Sequence, residues 1–236
     1  MEGAVKLPYA LGTKLTEWVP LPVGIPVGFW RSVGSSINTF AVECAIDELA
    51  QQAGLDPFAF RYNLISDARR LAVLKALDQM TGWRLSLPPG HAWGIAMSEW
   101  NGTIVCELAE VVKTTSGISI PRVACAVDCG QVINPNQAEA QMQGGIVHGL
   151  NATLYGQITF TAGKANQTNF RNYRMIRLNE MPVITVQLLP STNSPSGLGE
   201  PAVPPIAPAI ANAWSRLTGT RVRSLPLFPG ATMSGL

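Results

Sequence analysis

The sequence predicts an α+β fold, in which helical and strand segments are clustered along the chain. Apolar residues recur at spacings of three and four from Ile37 to Leu49, which is typical of an amphipathic helix. Asn101-Gly102 separates two strand-like segments and favours a two-residue hairpin turn. Because helices come first as a group and do not alternate regularly with strands, the pattern favours α+β over a regular α/β repeat.

Turn and cap residues predict the first elements in order. Residues 1–34 contain many prolines and glycines and are predicted to be extended with turns. Three helices are predicted next. The first begins at a Ser35 cap and is followed by Gly54, the second begins at Asp56-Pro57, and the third runs from Asp67 to about Met80 and ends at Gly82.

The remaining elements are mostly strands with two further helices. Strands are predicted at 93–100, 103–112, 118–128 and 183–189, with a final one near 221–225. Helices are predicted from Asn134-Pro135 to about Tyr155 and from about Pro205 to Leu217, with a polar loop at 161–172. The 236 residues are expected to form one region, mainly helical over 28–82 and mixed over 92–225.

The composition limits the possible functions. Charged residues make up 14% of the chain, against roughly 25% in ordinary domains, and the net charge is +2. Such a chain exposes much apolar surface, so we expect it to bind a partner. There is no basic run with interleaved aromatic residues, which argues against nucleic acid. Neither a transmembrane segment nor a signal peptide is predicted, and the compartment stays open.

The cysteines and histidines do not predict a metal centre. Cys44, Cys106, Cys125 and Cys129 form no Cys-x-x-Cys pair. Cys125 and Cys129 would lie about 13 Å apart on one strand face, too far for a disulfide or a shared zinc. We therefore expect buried thiols. The sequence has two histidines, so it offers few candidate residues for a zinc site or a serine–histidine triad.

The segment from Ser196 to Pro201 (SGLGEP) is the strongest candidate for a catalytic site. Two glycines allow a tight turn, and a carboxylate, Glu200, follows directly before a proline-rich helix start. A carboxylate fixed near a helix N-terminus is suited to act as a general base. The alternative is an ordinary loop carboxylate before a helix.

Two further motifs occur upstream in the chain. The first is GFWRSVG at 28–34, which leads into a helix, and the second is DCGQVINP at 128–135, which leads into QMQGGIVHGL at 141–150. Together with the glutamate loop, these segments resemble the molybdenum hydroxylases, the xanthine dehydrogenase and aldehyde oxidoreductase family, and within it the bacterial isoquinoline 1-oxidoreductase branch. The resemblance implies the C-terminal portion of the molybdenum cofactor-binding domain of a large subunit.

The resemblance implies roles for residues of the first motif. Arg31 is expected beside the cofactor, where a fixed cation can stabilise negative charge, and Gly34 allows close backbone approach. Trp30 and Val33 are expected to contact substrate. Xanthine dehydrogenases have a stacking phenylalanine at the position of Val33, so a purine substrate is not expected here.

The second motif is expected to face the cofactor as well. By resemblance Gln141 hydrogen-bonds the pterin, because an amide offers donors and an acceptor. Gly144 and Gly145 are expected near the cofactor, with close helix packing as the alternative. For Gly149 we expect packing.

The implied reaction is oxidation of an aldehyde or an N-heteroaromatic carbon, with water as the oxygen source and Glu200 as base. The implied cofactor is molybdopterin in its cytosine dinucleotide form, whose dithiolene holds molybdenum, so no protein metal ligands are expected. The implied partners are the N-terminal half of the large subunit, a small subunit with 2Fe–2S clusters and a small-molecule substrate. Two upstream glycine-rich loops of the family are absent, so the alternative is a non-catalytic remnant or an assembly module.

Overall fold

The computed structural model describes residues 1–83, 86–115 and 117–231. Its helices are α1 (Ser35–Gln52), α2 (Pro57–Leu64), α3 (Ala68–Thr81), α4 (Pro135–Leu154) and α5 (Ile206–Thr218), with a 3₁₀ turn at Leu178–Glu180. Its strands are β1 (His91–Trp100), β2 (Thr103–Thr114), β3 (Gly117–Asp128), β4 (Phe160–Thr161), β5 (Lys164–Ala165) and β6 (Val183–Leu188). The predicted α+β class is confirmed.

One four-stranded sheet forms the centre of the fold. The strand order is β1-β2-β3-β6, in which the first three strands are antiparallel and β6 runs parallel to β3. Asn101-Gly102 makes the predicted turn between β1 and β2, with Trp100 paired to Thr103. The chain returns from β3 to β6 through α4, as a parallel pairing requires a long connection.

The predicted strand at 221–225 is wrong, because no strand is present among residues 217–231. Side-chain ion pairs hold this segment against α1 instead. Arg221 Nη1 lies 3.0 Å from Asp47 Oδ2, and Arg223 pairs with Glu48. These contacts take the place of strand pairing in this segment.

Helices cover both faces of the sheet. One face packs against α4 and α5, with Val105, Cys125, Met142, Ile146 and Ile210 in its core. The other face packs against the α1–α3 side, with Ile46, Val73, Leu74 and Leu77. A Cβ added to Gly94 would lie 1.9 Å from the Ala209 carbonyl oxygen, so this glycine allows α5 to touch β1.

The helix ends follow the predicted signals with one exception. Asp56 and Asp67 cap α2 and α3 through carboxylate oxygens that accept backbone N–H bonds of 2.9 Å each. Gly82 ends α3 in the left-handed conformation. The Ser35 cap is wrong, since α1 begins at Ser35 after Gly34 and no side-chain cap is formed.

A buried ion pair fixes α1 and with it the loop that precedes this helix. Arg61 Nη2 lies 2.9 Å from Glu43 Oε2, and the two side chains are almost fully buried. Tyr9 Oη donates to Glu43 Oε1 at 2.6 Å, and the Met97 N–H donates to Oε2 at 3.0 Å. Breaking such a pair on one side typically costs about 3–5 kcal/mol, so α1 is firmly anchored.

Other expectations concern the cysteines and the surface. All four cysteines are buried and free, as expected. Within the described ranges, no helix is long and apolar enough to cross a membrane, and no group of three or more His, Cys, Asp or Glu side chains is placed to hold a metal ion. Residues 12–30 contain no helix or strand and expose large apolar side chains, among them Leu15, Trp18, Leu21, Val27 and Phe29.

Candidate active site

Arg31 joins the three motifs that the sequence singled out. Its Nε donates to the carbonyl oxygen of Gly199 at 2.5 Å, in the glutamate loop. Its terminal nitrogens donate at 3.4 Å to the Gly144 carbonyl oxygen and to Gln141 Oε1, both on α4. Gln141 and the Glu200 loop therefore meet at one edge of the molecule.

Glu200 is held by two donors, one on each carboxylate oxygen. The Ser32 N–H donates to Oε1 at 2.9 Å, and Trp100 Nε1–H donates to Oε2 at 3.0 Å. The Ser32 hydroxyl also donates to the Glu200 carbonyl oxygen at 2.6 Å. Each carboxylate oxygen can accept more than one hydrogen bond, so both oxygens of the half-buried Glu200 keep a free lone pair.

The expected position of Glu200 at a helix N-terminus is wrong. Helix α5 begins at Ile206, and turns fill residues 201–205. The field of a helix terminus falls off within its first turn, so α5 does not orient this carboxylate. Ser32 and Trp100 do so instead.

The loop that holds Glu200 has a strained backbone. Ser32 and Val33 have φ angles of 72° and 46°, in the left-handed region that β-branched residues rarely occupy. Such a conformation costs on the order of 1–3 kcal/mol and persists where the surroundings enforce it. In this conformation the Ser32 N–H points to Glu200. The neighbouring residues Trp30, Arg31 and Val33 line an open cavity.

This cavity has a volume of about 930 Å³ and mostly apolar walls. Besides the 30–34 loop, it is lined by Gly144 and His148 of α4 and by Phe170, Tyr173 and Met175. Glu200 does not line it. Gln141 lines a neighbouring cavity of about 630 Å³ with Asn134, Gln137 and Leu198.

The glycines of α4 differ in what surrounds them. A Cβ at Gly144 would meet nothing within 4 Å, whereas a Cβ at Gly145 would lie 2.9 Å from Ala202 Cβ. A Cβ at Gly149 would lie 2.4 Å from Ile206 Cγ2. Gly145 and Gly149 thus lie in close packing contacts, and the cofactor role expected for Gly145 stays a prediction. Space for a ligand remains at Gly144.

No neighbouring atom in the described structure requires a glycine at position 34. Its backbone conformation is helical, and a Cβ there would meet Glu2 at 3.5 Å, an ordinary contact. Its N–H donates to Glu2 Oε2 at 3.2 Å. The close approach expected at Gly34 therefore stays a prediction about a bound ligand.

Sequence reasoning did not find Ser32 and Trp100 as holders of Glu200, nor His148, Phe170 and Tyr173 as cavity residues. Ser32 lies inside a recognised motif, and its left-handed backbone has no sequence signal. Trp100 lies next to the Asn101-Gly102 turn, and the hairpin pattern gives no sign of a contact with Glu200. The turn places it at the strand end that faces the glutamate loop.

The sequence and the fold both match known proteins. Residues 75–182 match the domain family described as the molybdopterin cofactor-binding domain. The chain is 33% identical to isoquinoline 1-oxidoreductase subunit beta of Brevundimonas diminuta, over 87% of this chain and 27% of that protein. It is 30% identical to the membrane-bound aldehyde dehydrogenase [pyrroloquinoline-quinone] of Gluconacetobacter polyoxogenes, over 89% and 30%. The crystal structure of quinoline 2-oxidoreductase from Pseudomonas putida 86 superposes with a TM-score of 0.72 at 12% identity, over 82% of this chain and 50% of that one.

The fold and the matched domain are those of a molybdopterin cofactor-binding protein. The chain belongs to the molybdenum hydroxylase family, whose large subunits it resembles in sequence. It spans less than a third of the length of the two relatives named above.

Proposed function

We propose that the chain is part of a molybdenum-dependent hydroxylase that oxidises an aldehyde or an N-heteroaromatic carbon with water as the oxygen source. The observation that carries this proposal is the convergence on Arg31. One guanidinium contacts Gly199, Gly144 and Gln141, and the adjacent Ser32 holds Glu200. Three motifs far apart in sequence therefore form a single edge.

The residues at this edge suit a pterin. Gln141 is exposed and offers an amide, Gly144 has open space before it, and Arg31 supplies a cation between them. When bound, molybdopterin supplies the two-electron redox chemistry, while the protein supplies position and electrostatics. We assign it the cytosine dinucleotide form, with molybdenum held by the dithiolene.

Glu200 acts as the general base in this proposal. Conversion of R–H and water to R–OH releases two electrons and two protons, and Glu200 accepts one proton from the water at a carboxylate oxygen. The Ser32 and Trp100 N–H groups orient the carboxylate and leave lone pairs free. The electrons leave through 2Fe–2S clusters of a partner subunit.

Trp30 and Val33 are assigned to substrate contact. Val33 is too small and has no ring, so it does not supply a stacking surface for a purine. Trp30 does, and it stacks on His148 with ring centroids 4.7 Å apart.

The exposed apolar residues of 12–30 support a large partner. Phe29 is 94% exposed and Leu15 is 82% exposed, and a row of such side chains usually marks an interface. We assign this surface to the N-terminal half of the large subunit, since the chain spans so little of its relatives.

Glu200→Gln in the reconstituted holoenzyme tests the base assignment. The amide keeps the size and loses the basicity, so turnover should fall by at least about 10²-fold. Molybdenum content, measured by mass spectrometry, should be unchanged. Glu139→Gln is the matched control, because Glu139 is exposed on α4 and its side chain accepts a hydrogen bond only from Gln143 among the described residues.

Near-normal turnover of the Glu200 variant would end the base assignment. Loss of molybdenum from that variant would show a structural role. A reconstituted complex that binds neither molybdopterin nor an iron–sulfur partner would support the alternative, a remnant or assembly module. Recovery of pyrroloquinoline quinone in place of molybdopterin would contradict the cofactor assignment.

A further inference from the structure

The turn that joins β1 to β2 holds the glutamate loop at two points. Trp100 and Thr103 flank this turn and are paired across the hairpin. Trp100 Nε1–H donates to Glu200 Oε2 at 3.0 Å, and Thr103 Oγ1 lies 2.8 Å from the carbonyl oxygen of Gly197. Residues directly opposite each other in a β ladder have their side chains on the same face of the sheet. Both ends of the segment 197–200 are therefore attached to the tip of one hairpin.

The glutamate loop depends on such hydrogen bonds because packing does little to fix its backbone. Residues 189–200 contain no helix or strand. A Cβ added to Gly197 or to Gly199 would meet nothing within 4 Å. Glycine has the widest choice of backbone conformations, so an unpacked glycine does not by itself keep a loop in one shape. The position of Glu200 is thus set by the groups that hydrogen-bond its loop.

The Thr103 hydroxyl is the donor on which this end of the loop depends. Thr103 is fully buried, and its Oγ1 also lies 2.6 Å from Ser196 Oγ. Each hydroxyl donates one proton. In the described part of the chain no other group donates to the Gly197 oxygen, so the Thr103 proton goes there and Ser196 donates to Thr103. The Cys129 carbonyl oxygen, which lies 2.9 Å from Ser196 Oγ, keeps the Ser196 N–H as its donor at 2.8 Å.

We propose that Thr103 is a positioning residue for the oxidation, which fixes Glu200 by holding the Ser196–Gly197 end of its loop against the hairpin. The proposal rests on the proposed function, in which Glu200 is the base. Thr103 lines neither cavity of the candidate site and acts through the backbone of Gly197. A displacement of about 1 Å in a reacting group can cost up to about 10²-fold in rate, so a hold of this kind affects turnover.

Trp100 reports the position of Glu200 without any cofactor. The sequence has six tryptophans, so an NMR spectrum of the purified chain contains six indole N–H signals. Trp100→Phe identifies the Trp100 signal, and Glu200→Ala gives its position when the bond to the carboxylate is lost. In Thr103→Val the Trp100 signal should move toward that position, while in Thr103→Ser, which keeps the hydroxyl, it should stay. The remaining indole signals should not move, which checks that the variants are folded.

Turnover of the reconstituted holoenzyme is the second readout. Thr103→Val should lower kcat about 10-fold and leave KM unchanged, because the hold acts on proton transfer and not on substrate binding. Thr103→Ser should restore kcat. Thr153→Val is the matched control, since Thr153 is also buried and its hydroxyl donates to the Gly149 carbonyl oxygen at 2.7 Å, within α4. This control should change neither the Trp100 signal nor kcat.

An unmoved Trp100 signal in Thr103→Val would overturn the proposal, whatever the turnover. If the valine variant does not fold, Thr103→Ala is compared with Thr103→Ser, because these two differ by the hydroxyl alone. The same Trp100 signal in both would then overturn the proposal. The NMR result does not depend on the base assignment. A moved Trp100 signal together with normal turnover of the Glu200→Gln enzyme would support the hold on Glu200 and end the base assignment alone.

Discussion

The two sides of helix α4 differ in their surroundings, although both sides carry glycine: one side is packed and the other is open. On one side, Gly145 and Gly149 lie against Ala202, Val203 and Ile206 with no space for a side chain. On the other side, Gly144 faces open space and His148 lines a cavity. Close packing thus explains two of the three glycines of this helix, whereas the third borders open space.

The comparison shows why a glycine count alone does not locate a cofactor. Each glycine costs an exposed helix up to about 1 kcal/mol relative to alanine. On the packed side this cost is offset by the contact between α4 and the segment before α5. On the open side no contact within the described structure offsets it, so Gly144 is the glycine to examine for function.

Gly149→Ala should give the largest loss of stability in this comparison. The new methyl group would lie 2.4 Å from Ile206 Cγ2 and 2.9 Å from the Val203 carbonyl oxygen. Overpacking of this kind costs about 1–3 kcal/mol in the free energy of unfolding, which denaturant titration measures. An unchanged midpoint would mean that α4 and α5 are not in contact as described.

The packed side also contains a buried carboxyl group, and its pH dependence can be predicted. Glu107 is on β2, paired with Cys125 and Ala96 in the layer under α4 and α5, and neither carboxyl oxygen has a partner among the described residues. Burial raises the pKa of Glu107 well above 4.5. Above about pH 4.5 the unfolded state releases this proton while the folded state keeps it. The contribution of Glu107 to the free energy of unfolding is therefore fully present below about pH 4.5 and decreases as the pH rises above that value.

Glu107→Gln should remove this dependence. Relative to the variant, the parent chain should lose up to about 1.4 kcal/mol per pH unit above the ordinary value, as long as Glu107 stays protonated. Unfolding is measured at pH 5, 6, 7 and 8, with Glu139→Gln as the control for loss of an exposed carboxylate. Parallel curves for the parent and the Glu107 variant would show that Glu107 has a partner or is ionised.

Gly144→Ala should have the smallest effect and the opposite sign. A methyl group at this position meets nothing within 4 Å, so the chain should gain up to about 1 kcal/mol from helix propensity. The same variant should bind molybdopterin more weakly in the holoenzyme if the cofactor occupies that space. A stabilised variant with normal cofactor content would limit the role of Gly144 to the surface.

Much of the fold was predictable because its signals are local. Asp56, Asp67 and Gly82 act through bonds within a few residues, and the Asn101-Gly102 turn specifies its own hairpin. The alternation that marks a strand does not say which neighbour it pairs with. The parallel pairing of β6 with β3, and the replacement of a strand at 221–225 by ion pairs to α1, are tertiary decisions.

The candidate site divides in the same way. By itself the sequence identified the segments that are proposed to carry chemistry, because SGLGEP, GFWRSVG and QMQGG are short runs whose residue types suit a base, a cation and an amide. It did not determine what orients Glu200, which is held by Ser32 and Trp100 across 168 and 100 positions of chain. Nor did it separate Gly144 from Gly145. Both outcomes depend on which atoms fill the space beside a residue, and only the packing of α4, α5 and the 30–34 loop decides that.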